Sequence, residues 1–177
     1  ALGHNFVDGK CTRCGEKQPV TEGLDFTLSS DKTYYTLTGI GNTTETDIYI
    51  PAQYQNLPVK AISKSAFEKN TKIASVSIPD SVISIGEKAF YYCSNLAKVQ
   101  LGAGVESIGE YAFYACTGLT ELHIPASVTD IAAQAFSYCY NVAEITADAD
   151  NSVYAVAGNC LYTKADKTLV YGCKASV

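Results

Sequence analysis

The chain has 177 residues, a formal net charge of −5 and an apolar fraction of 47%, which suffices for one domain or a repeat array. Its acidic balance and scattered lysines exclude nucleic acid as an expected partner, because phosphate binding requires a basic strip. No apolar run approaches the roughly 18 residues of a membrane-spanning helix, so no membrane span is expected within these residues.

Residues 1–20 are polar and turn-rich, which predicts a small appendage or linker. His4, Cys11 and Cys14 are spaced to wrap one structural zinc ion with an imidazole and two thiolates. A closed site needs a fourth ligand, which Asp8, another chain or a missing part of the protein could supply. A disulfide within this Cys-x-x-Cys motif and a pair of free thiols are the alternatives.

Residues 21–50 are predicted to form an N-terminal β cap. Leu24, Phe26 and Leu28 alternate with polar residues, as do Tyr35 and Leu37, on either side of a turn-forming segment. This alternation indicates a β-hairpin. Its position before the repeats described next favours a cap, since the first unit of an array would otherwise expose apolar side chains and unpaired strand edges.

Residues 51–147 contain four repeats with a period of 23, the first lengthened by five residues. Phenylalanine recurs at Phe67, Phe90, Phe113 and Phe136, and isoleucine at Ile62, Ile85, Ile108 and Ile131. A fixed period in this range is typical of a solenoid, because a single unit cannot bury its apolar residues without neighbours. We therefore expect the four phenylalanine rings to stack along one core.

Each repeat is predicted to contain a strand and a short helical turn. Leu122 and Ile124 show the two-residue spacing of a strand. Phe136, Cys139 and Val142 lie three residues apart, which favours one buried face of a tight helix. The recurring Cys93, Cys116 and Cys139 are interpreted as small buried apolar residues, with a metal or redox ladder as the alternative.

Residues 148–177 depart from the repeat register and predict a β-hairpin insertion followed by the start of a truncated repeat. Two apolar segments flank the turn Lys164–Lys167, and the last residues resume the repeat phase, so a longer native protein is expected. Cys160 and Cys173 lie diagonally across this hairpin and are predicted to form either a disulfide or two buried thiols.

The repeat Ile-Pro, Val-x-x-Ile-Gly, Ala-Phe-x-x-Cys-x-x-Leu, as in residues 78–96, resembles the BspA-like leucine-rich repeats. The resemblance implies a right-handed solenoid, exported to the bacterial surface or secreted, whose role is adhesion or protein binding. The expected fold is an α/β repeat with parallel strands on one face, short helical turns on the other and β-hairpins at both ends.

Two candidate binding surfaces follow. The outward strand positions, where solenoids usually bind partners, include Lys98, Gln100, Thr120, Glu121, His123 and Glu144. The alternative is an aromatic surface around the turns, formed by Tyr91, Tyr92, Tyr111, Tyr114 and Tyr138. These tyrosines could instead be half-buried packing residues.

The resemblance implies a non-enzymatic recognition module with a host protein, matrix protein or cell-surface glycan as partner. His123 and Glu121 share a face and could form a pH-sensitive pair, but no nucleophile or oxyanion donor is placed to complete a catalytic site. The alternative function is a spacer or carbohydrate-contacting module attached to a catalytic domain that lies outside this chain.

Overall fold

The structure is a computed structural model that describes residues 6–7, 10–11 and 19–172. His4, Cys14 and Cys173 lie outside the described residues, and only the backbone of Cys11 is described. Strands make up the regular structure: β1 (Phe6–Val7), β2 (Lys10–Cys11), β3 (Asp25–Leu28), β4 (Tyr35–Gly39), β5 (Asp47–Tyr49), β6 (Gln53–Tyr54), β7 (Leu57–Ile62), β8 (Ser75–Ser77), β9 (Ser84–Ile85), β10 (Lys98–Gln100), β11 (Ser107–Ile108), β12 (Glu121–Ile124), β13 (Asp130–Ile131), β14 (Glu144–Ala147), β15 (Tyr154–Ala157), β16 (Cys160–Thr163) and β17 (Leu169–Gly172).

The first side of the solenoid is a stack of parallel strands. β5, β8 and β10 pair in parallel, with Ile48, Val76 and Val99 in register. β12 and β14 pair in parallel further along the stack, and the amide of Thr120 donates to the carbonyl of Ala97 across the intervening step. The inward residues of these strands are buried and their neighbours face outward, as the two-residue alternation predicts.

The second side is a sheet in which β7, β9, β11 and β13 run parallel. Their register aligns Ile62, Ile85, Ile108 and Ile131, the recurring isoleucines of the sequence. β4 pairs in parallel with β7 and in antiparallel fashion with β3, so the expected hairpin is present and joins the sheet edge. β6 turns back onto β7, which accounts for the longer first repeat.

The core between the two sides contains the predicted phenylalanine stack. Phe67, Phe90, Phe113 and Phe136 are at most 2% exposed. Successive ring centroids are 4.9, 5.0 and 5.4 Å apart and the rings are within 7° of parallel. This spacing follows the separation of hydrogen-bonded strands, about 4.8 Å, because each ring belongs to one coil of the stack.

The predicted helical turns are wrong, since no helix occurs in residues 19–172. In the turn around Phe90, some amides bond within the coil, as Cys93 does to the carbonyl of Phe90. Others donate to the next coil, as the amides of Phe90 and Tyr92 do to the carbonyls of Ala112 and Tyr114. Consecutive tight turns therefore bury residues three apart, as a helix would, while half of their amides tie adjacent coils together.

Glycine permits the close approach of one coil to the next at the start of these turns. A Cβ atom at Gly86 would lie 2.6 Å from the amide nitrogen of Lys64, and one at Gly109 would lie 2.7 Å from that of Glu87. Real side chains almost never tolerate such contacts with backbone. The sequence places Ala132 at the equivalent position of the last coil.

The last coil is covered by a three-stranded antiparallel sheet of β15, β16 and β17. The hairpin of β16 and β17 was expected, but β15 was not, because its residues lack a clear period. Three polar side chains of this sheet and its turn bind backbone groups of the last coil. Tyr154 accepts from the amide of Ile131, Asn159 binds Ala143 and Ile145 at the start of β14, and Tyr171 donates to the carbonyl of Cys139.

The opposite edge is closed by Thr21. Its amide donates to the carbonyl of Tyr49 and its hydroxyl accepts from the amide of Tyr49, each at 2.9 Å. In the ranges that the structure describes, no helix has the length and apolar character needed to cross a membrane.

Candidate functional site

The outward residues of the strand face largely pair with one another. Lys98 lies 3.1 Å from Glu121 on the next strand, whereas Glu144 lies in register with Glu121, a residue of like charge, one strand further on. The Thr120 hydroxyl faces the carbonyl of Ala97, and Gln100 is exposed at the end of β10. Most of the polar groups that could bind a partner here already have a neighbour within the chain.

His123 contacts the following coil rather than Glu121. Its Nδ1 lies 3.0 Å from the Thr146 hydroxyl and its Nε2 lies 3.2 Å from an Asp148 carboxylate oxygen. The other carboxylate oxygen of Asp148 accepts from the amide of Ala126. The suggested pairing of His123 with Glu121 is therefore replaced by an exposed His–Asp contact that links the last two coils.

The turns carry a continuous aromatic surface, which we call the tyrosine surface: Tyr91, Tyr92, Tyr111, Tyr114, Tyr138 and Tyr140. Tyr91 stacks on Tyr114 with ring centroids 5.2 Å apart and an interplanar angle of 21°. Tyr114 lies 4.8 Å from Tyr138, which meets Tyr140 edge to face at 5.5 Å and 82°. Aromatic pairs favour such offset and edge-to-face arrangements. The tyrosines that the sequence places around the turns, Tyr140 among them, thus lie together.

The turn backbone explains why these rings lie outside the core. Tyr92, Tyr111 and Tyr138 have φ values of 57°, 57° and 65°, in the left-handed region between inward-facing residues. Tyr92 is 46% exposed, Tyr138 49% and Tyr140 63%, whereas the other three are half-buried beneath their neighbours. Partial burial, with Tyr138 beside it, raises the pKa of Tyr114 to about 12.

A lysine already lies over part of the tyrosine surface. The Lys88 ammonium group is 5.8 Å from the ring centroid of Tyr91 and 5.9 Å from that of Tyr111. It also lies 3.5 Å from the carboxylate of Glu87. Positions within about 6 Å of a ring face are where a cation is attracted by the ring quadrupole.

A groove lies at the C-terminal end of the tyrosine surface, where the turn of the last coil meets β17. The volume of this open groove is about 370 Å³. Tyr138 and Tyr140 form one wall, and Leu169, Val170 and Tyr171 form the other. Leu169 is 62% exposed and, with exposed Tyr138 and Tyr140, gives the groove an apolar lining.

The recurring cysteines form a buried column in the core. Cys93, Cys116 and Cys139 are at most 2% exposed, and each thiol lies 3.0 or 3.1 Å from a phenylalanine carbonyl of the preceding coil. Burial raises the pKa of Cys93 to about 12, and the adjacent Cys139 thiol together with burial raises the pKa of Cys116. These environments support the packing interpretation over a redox or metal ladder.

The remaining cysteine predictions are not tested by the structure. Within the described part of the chain, no three His, Cys, Asp or Glu side chains come together as metal ligands. The zinc site at His4, Cys11 and Cys14 stays a prediction. Cys160 is half-buried opposite Gly172 in β17, and its predicted disulfide partner Cys173 lies beyond the described residues.

Comparison with protein families decides the classification. The model of the BspA type leucine-rich repeat region matches residues 46–171 with six copies. The chain belongs to the BspA-type leucine-rich repeat family. The matched region is longer than the four repeats recognised by their period. It includes strand β5 and the antiparallel sheet after the last coil, both of which pack on the BspA-type coils.

Solved structures share the fold. A leucine-rich repeat protein from Bacteroides capillosus ATCC 29799 is 34% identical, with a TM-score of 0.63 over 71% of this chain and 94% of that one. The leucine-rich repeat protein of T. pallidum is 25% identical, with a TM-score of 0.57 over 70% and 68% of the two chains.

A leucine-rich cell surface protein from Faecalibacterium prausnitzii A2-165 is 24% identical, with a TM-score of 0.51 over 87% of this chain and 61% of that one. No curated protein matches the sequence.

Proposed function

We propose that this chain is a non-enzymatic recognition module of a secreted or cell-surface protein, and that it binds a protein partner through the tyrosine surface. The observation that carries the proposal is the continuous set of six tyrosine rings, three of them 46–63% exposed, across three consecutive coils. Tyrosine is enriched in the hot spots of protein interfaces, because its ring buries apolar area while its hydroxyl remains able to bond.

The strand face is the weaker candidate. Its lysine and histidine already contact carboxylates of neighbouring coils, and a partner would have to replace those contacts. Exposed ion pairs contribute about 0–1 kcal/mol each, so little binding energy is available from rearranging them. At Tyr92, Tyr138 and Tyr140, the tyrosine surface offers exposed rings that a partner could cover without breaking an ion pair.

The proposed location follows from the family and from one relative. The F. prausnitzii protein of the same fold is described as a cell surface protein, and a recognition role suits that location. A non-catalytic role is supported by membership of a repeat family and by the fold-level argument that solenoids offer extended binding surfaces.

The proposal can be tested with paired surface variants. Wild-type protein, a Tyr92→Ser/Tyr138→Ser variant and a Lys98→Ser/Gln100→Ser control are screened by biolayer interferometry against extracellular-matrix proteins and a glycan array. We expect a protein ligand that the control retains and the tyrosine variant loses. Circular dichroism verifies that both variants are folded.

Two outcomes would contradict the proposal. Loss of binding in the strand-face variant alone would move the site to Lys98 and Gln100. Binding of glycans without any protein ligand would favour the alternative of a carbohydrate-contacting module attached to a catalytic domain.

A further inference from the structure

We propose that the groove between Tyr138, Tyr140 and β17 binds an arginine side chain presented by a protein partner. This inference rests on the proposed function, because it specifies which group of the partner the end of the tyrosine surface accepts. In this groove, the two exposed and nearly perpendicular rings of Tyr138 and Tyr140 face the apolar side chains of β17. The groove lies where the turn of the last coil meets the antiparallel sheet.

The groove is large enough to admit a long side chain. Its volume of about 370 Å³ is at the lower end of the range for ligand pockets, roughly 300–1,000 Å³. A guanidinium group could lie flat on the face of one ring while the second ring, at 82°, closes the corner. The methylene groups of the same arginine could then cover Leu169 and Val170.

The chain itself shows that tyrosine rings attract cations here. Lys88 lies over Tyr91 and Tyr111, and on the covering sheet Lys167 lies 5.1 Å from the ring centroid of Tyr162. Within residues 19–172, a lysine ammonium group therefore lies over a tyrosine ring at two places: on the tyrosine surface and on the antiparallel sheet that contains β17.

The last coil lacks such a lysine. Gln134 occupies the turn position that Lys88 occupies two coils earlier, and both have left-handed backbone. Among the described residues, no lysine or arginine lies over Tyr138 or Tyr140 as Lys88 does over Tyr91. These two rings consequently keep faces that an external cation can cover.

The charge of the chain favours the same occupant. A formal net charge of −5 attracts cationic groups over long range and repels anionic ones. Arginine fits better than lysine because its planar, weakly hydrated guanidinium stacks on aromatic faces, whereas an ammonium group is a compact and strongly hydrated charge. A purely apolar side chain would gain from Leu169 but not from the ring quadrupoles.

The test uses short peptides, so it does not depend on knowing the natural partner. Acetyl-Gly-Arg-Gly-amide is titrated into the full chain while the tyrosine ring signals are followed by NMR. The matched control peptide contains citrulline, which has nearly the same shape without the charge. We expect the arginine peptide to shift the Tyr138 and Tyr140 signals and the citrulline peptide to bind at least about threefold more weakly.

Two substitutions separate the ring face from the hydroxyl. Tyr140→Phe keeps the face and is expected to retain binding, whereas Tyr140→Leu removes it and is expected to weaken binding at least about threefold. Tyr140 is 63% exposed, so both variants should fold, and Tyr138→Leu provides a second test.

The inference is overturned if citrulline and arginine peptides bind equally, if Tyr140→Leu leaves binding unchanged, or if neutral oligosaccharides shift these signals and the arginine peptide does not. Failure of the peptide test together with loss of a protein ligand in the Tyr92→Ser/Tyr138→Ser variant would reject the arginine site and leave the proposed function intact.

Discussion

Eight non-glycine residues of the four turns have left-handed backbone, two in each coil: Ser65, Lys69, Lys88, Tyr92, Tyr111, Ala115, Gln134 and Tyr138. This conformation costs a residue with a Cβ atom roughly 1–2 kcal/mol. The inter-coil hydrogen bonds of the turns depend on it, because it directs alternate amides toward the next coil. The same geometry turns Tyr92 and Tyr138 outward, so backbone strain and the tyrosine surface have one cause.

A β-branched residue at one of these positions should weaken the fold. Lys69 is exposed and has a φ of 58°, which valine tolerates poorly. We expect Lys69→Val to lower the free energy of unfolding by about 1 kcal/mol, measured by chemical denaturation. Lys72→Val, at an exposed position three residues on, should change it by less than about 0.5 kcal/mol. Equal effects of the two substitutions would contradict the strain argument.

The buried thiols lead to a second prediction at the residue scale. Cys93, Cys116 and Cys139 should resist iodoacetamide in the native protein at neutral pH and react fully after denaturation, as read by peptide mass spectrometry. Half-buried Cys160 is the internal comparison. Native labelling of all three core cysteines would show that the column is accessible and would contradict the packing interpretation.

The raised thiol pKa also sets a pH dependence. Because the folded state keeps Cys93 neutral up to a pKa of about 12, its contribution to stability is complete below the ordinary thiol pKa. The contribution decreases as the pH rises from that value toward about 12, since only the unfolded chain then gains a thiolate. A Cys93→Ala variant should therefore lose less stability than the wild type between neutral and alkaline pH.

At the scale of the elements, side chains replace the strand that another coil would supply. Through its amide, Asn159 donates to the carbonyl of Ala143, just before β14, at 2.7 Å and accepts from the amide of Ile145 in β14 at 2.8 Å. The amide group of buried Asn151 donates to the carbonyls of Pro125 and Val128 in the last coil. Its oxygen accepts from the amides of Val153 and Tyr154. The antiparallel sheet thus closes the stack with polar groups as well as with apolar area.

Removing one of these polar groups should open the edge locally. Tyr154 is 4% exposed, and its hydroxyl accepts from the amide of Ile131 at 2.8 Å. Tyr154→Phe leaves that amide without its acceptor, at an expected cost of about 1–3 kcal/mol. Hydrogen exchange of the Ile131 amide should accelerate. Tyr140→Phe, at an exposed ring, is the control, and unchanged exchange in the Tyr154 variant would contradict the assigned role.

At the scale of the whole molecule, stability depends on contacts between neighbouring coils. Phe90 is fully buried with a phenylalanine ring on each side, about 5 Å away. We expect Phe90→Ala to lower the free energy of unfolding by about 3–5 kcal/mol, measured by chemical denaturation, because it removes a large side chain and leaves a cavity. Phe90→Leu should cost clearly less. If the two substitutions lowered the free energy of unfolding by similar amounts, the packing of the phenylalanine stack would not be what stabilises the core.

The features that followed from the sequence were those fixed by a strict period. An exact spacing of 23 residues aligned the phenylalanine rings and the isoleucines, and two-residue alternation identified the inward residues of β12. The helical turns were wrong because residues three apart, such as Phe136 and Cys139, can be buried by consecutive tight turns as well as by a helix. Consecutive tight turns differ from a helix in that some of their amides donate to carbonyls of the next coil. No local sequence pattern reveals those bonds.

The candidate site was predictable in part. The tyrosines of the turns were identified as an aromatic surface, yet no pattern in the sequence indicates that Lys88 covers two rings and leaves the last pair uncovered. Strand β15 and the groove beside β17 depend on how the irregular segment after Ala147 folds onto the last coil. That contact is made by single side chains, such as Tyr171, whose partners are more than thirty positions away along the chain.

The turn hydrogen bonds also give the stack a polarity. In the first three turns, amides donate to carbonyls of the coil that follows, as from Phe67 to Ala89 and from Phe113 to Ala135, and the carbonyls of the fourth turn accept the last of these bonds. One end of this column is therefore rich in acceptors and the other in donors. Two such columns could be joined only head to tail, because a head-to-head contact would place donors against donors or acceptors against acceptors. Any lengthening of the array, by duplication or by design, must therefore keep the turn hydrogen bonds pointing in one direction along the stack.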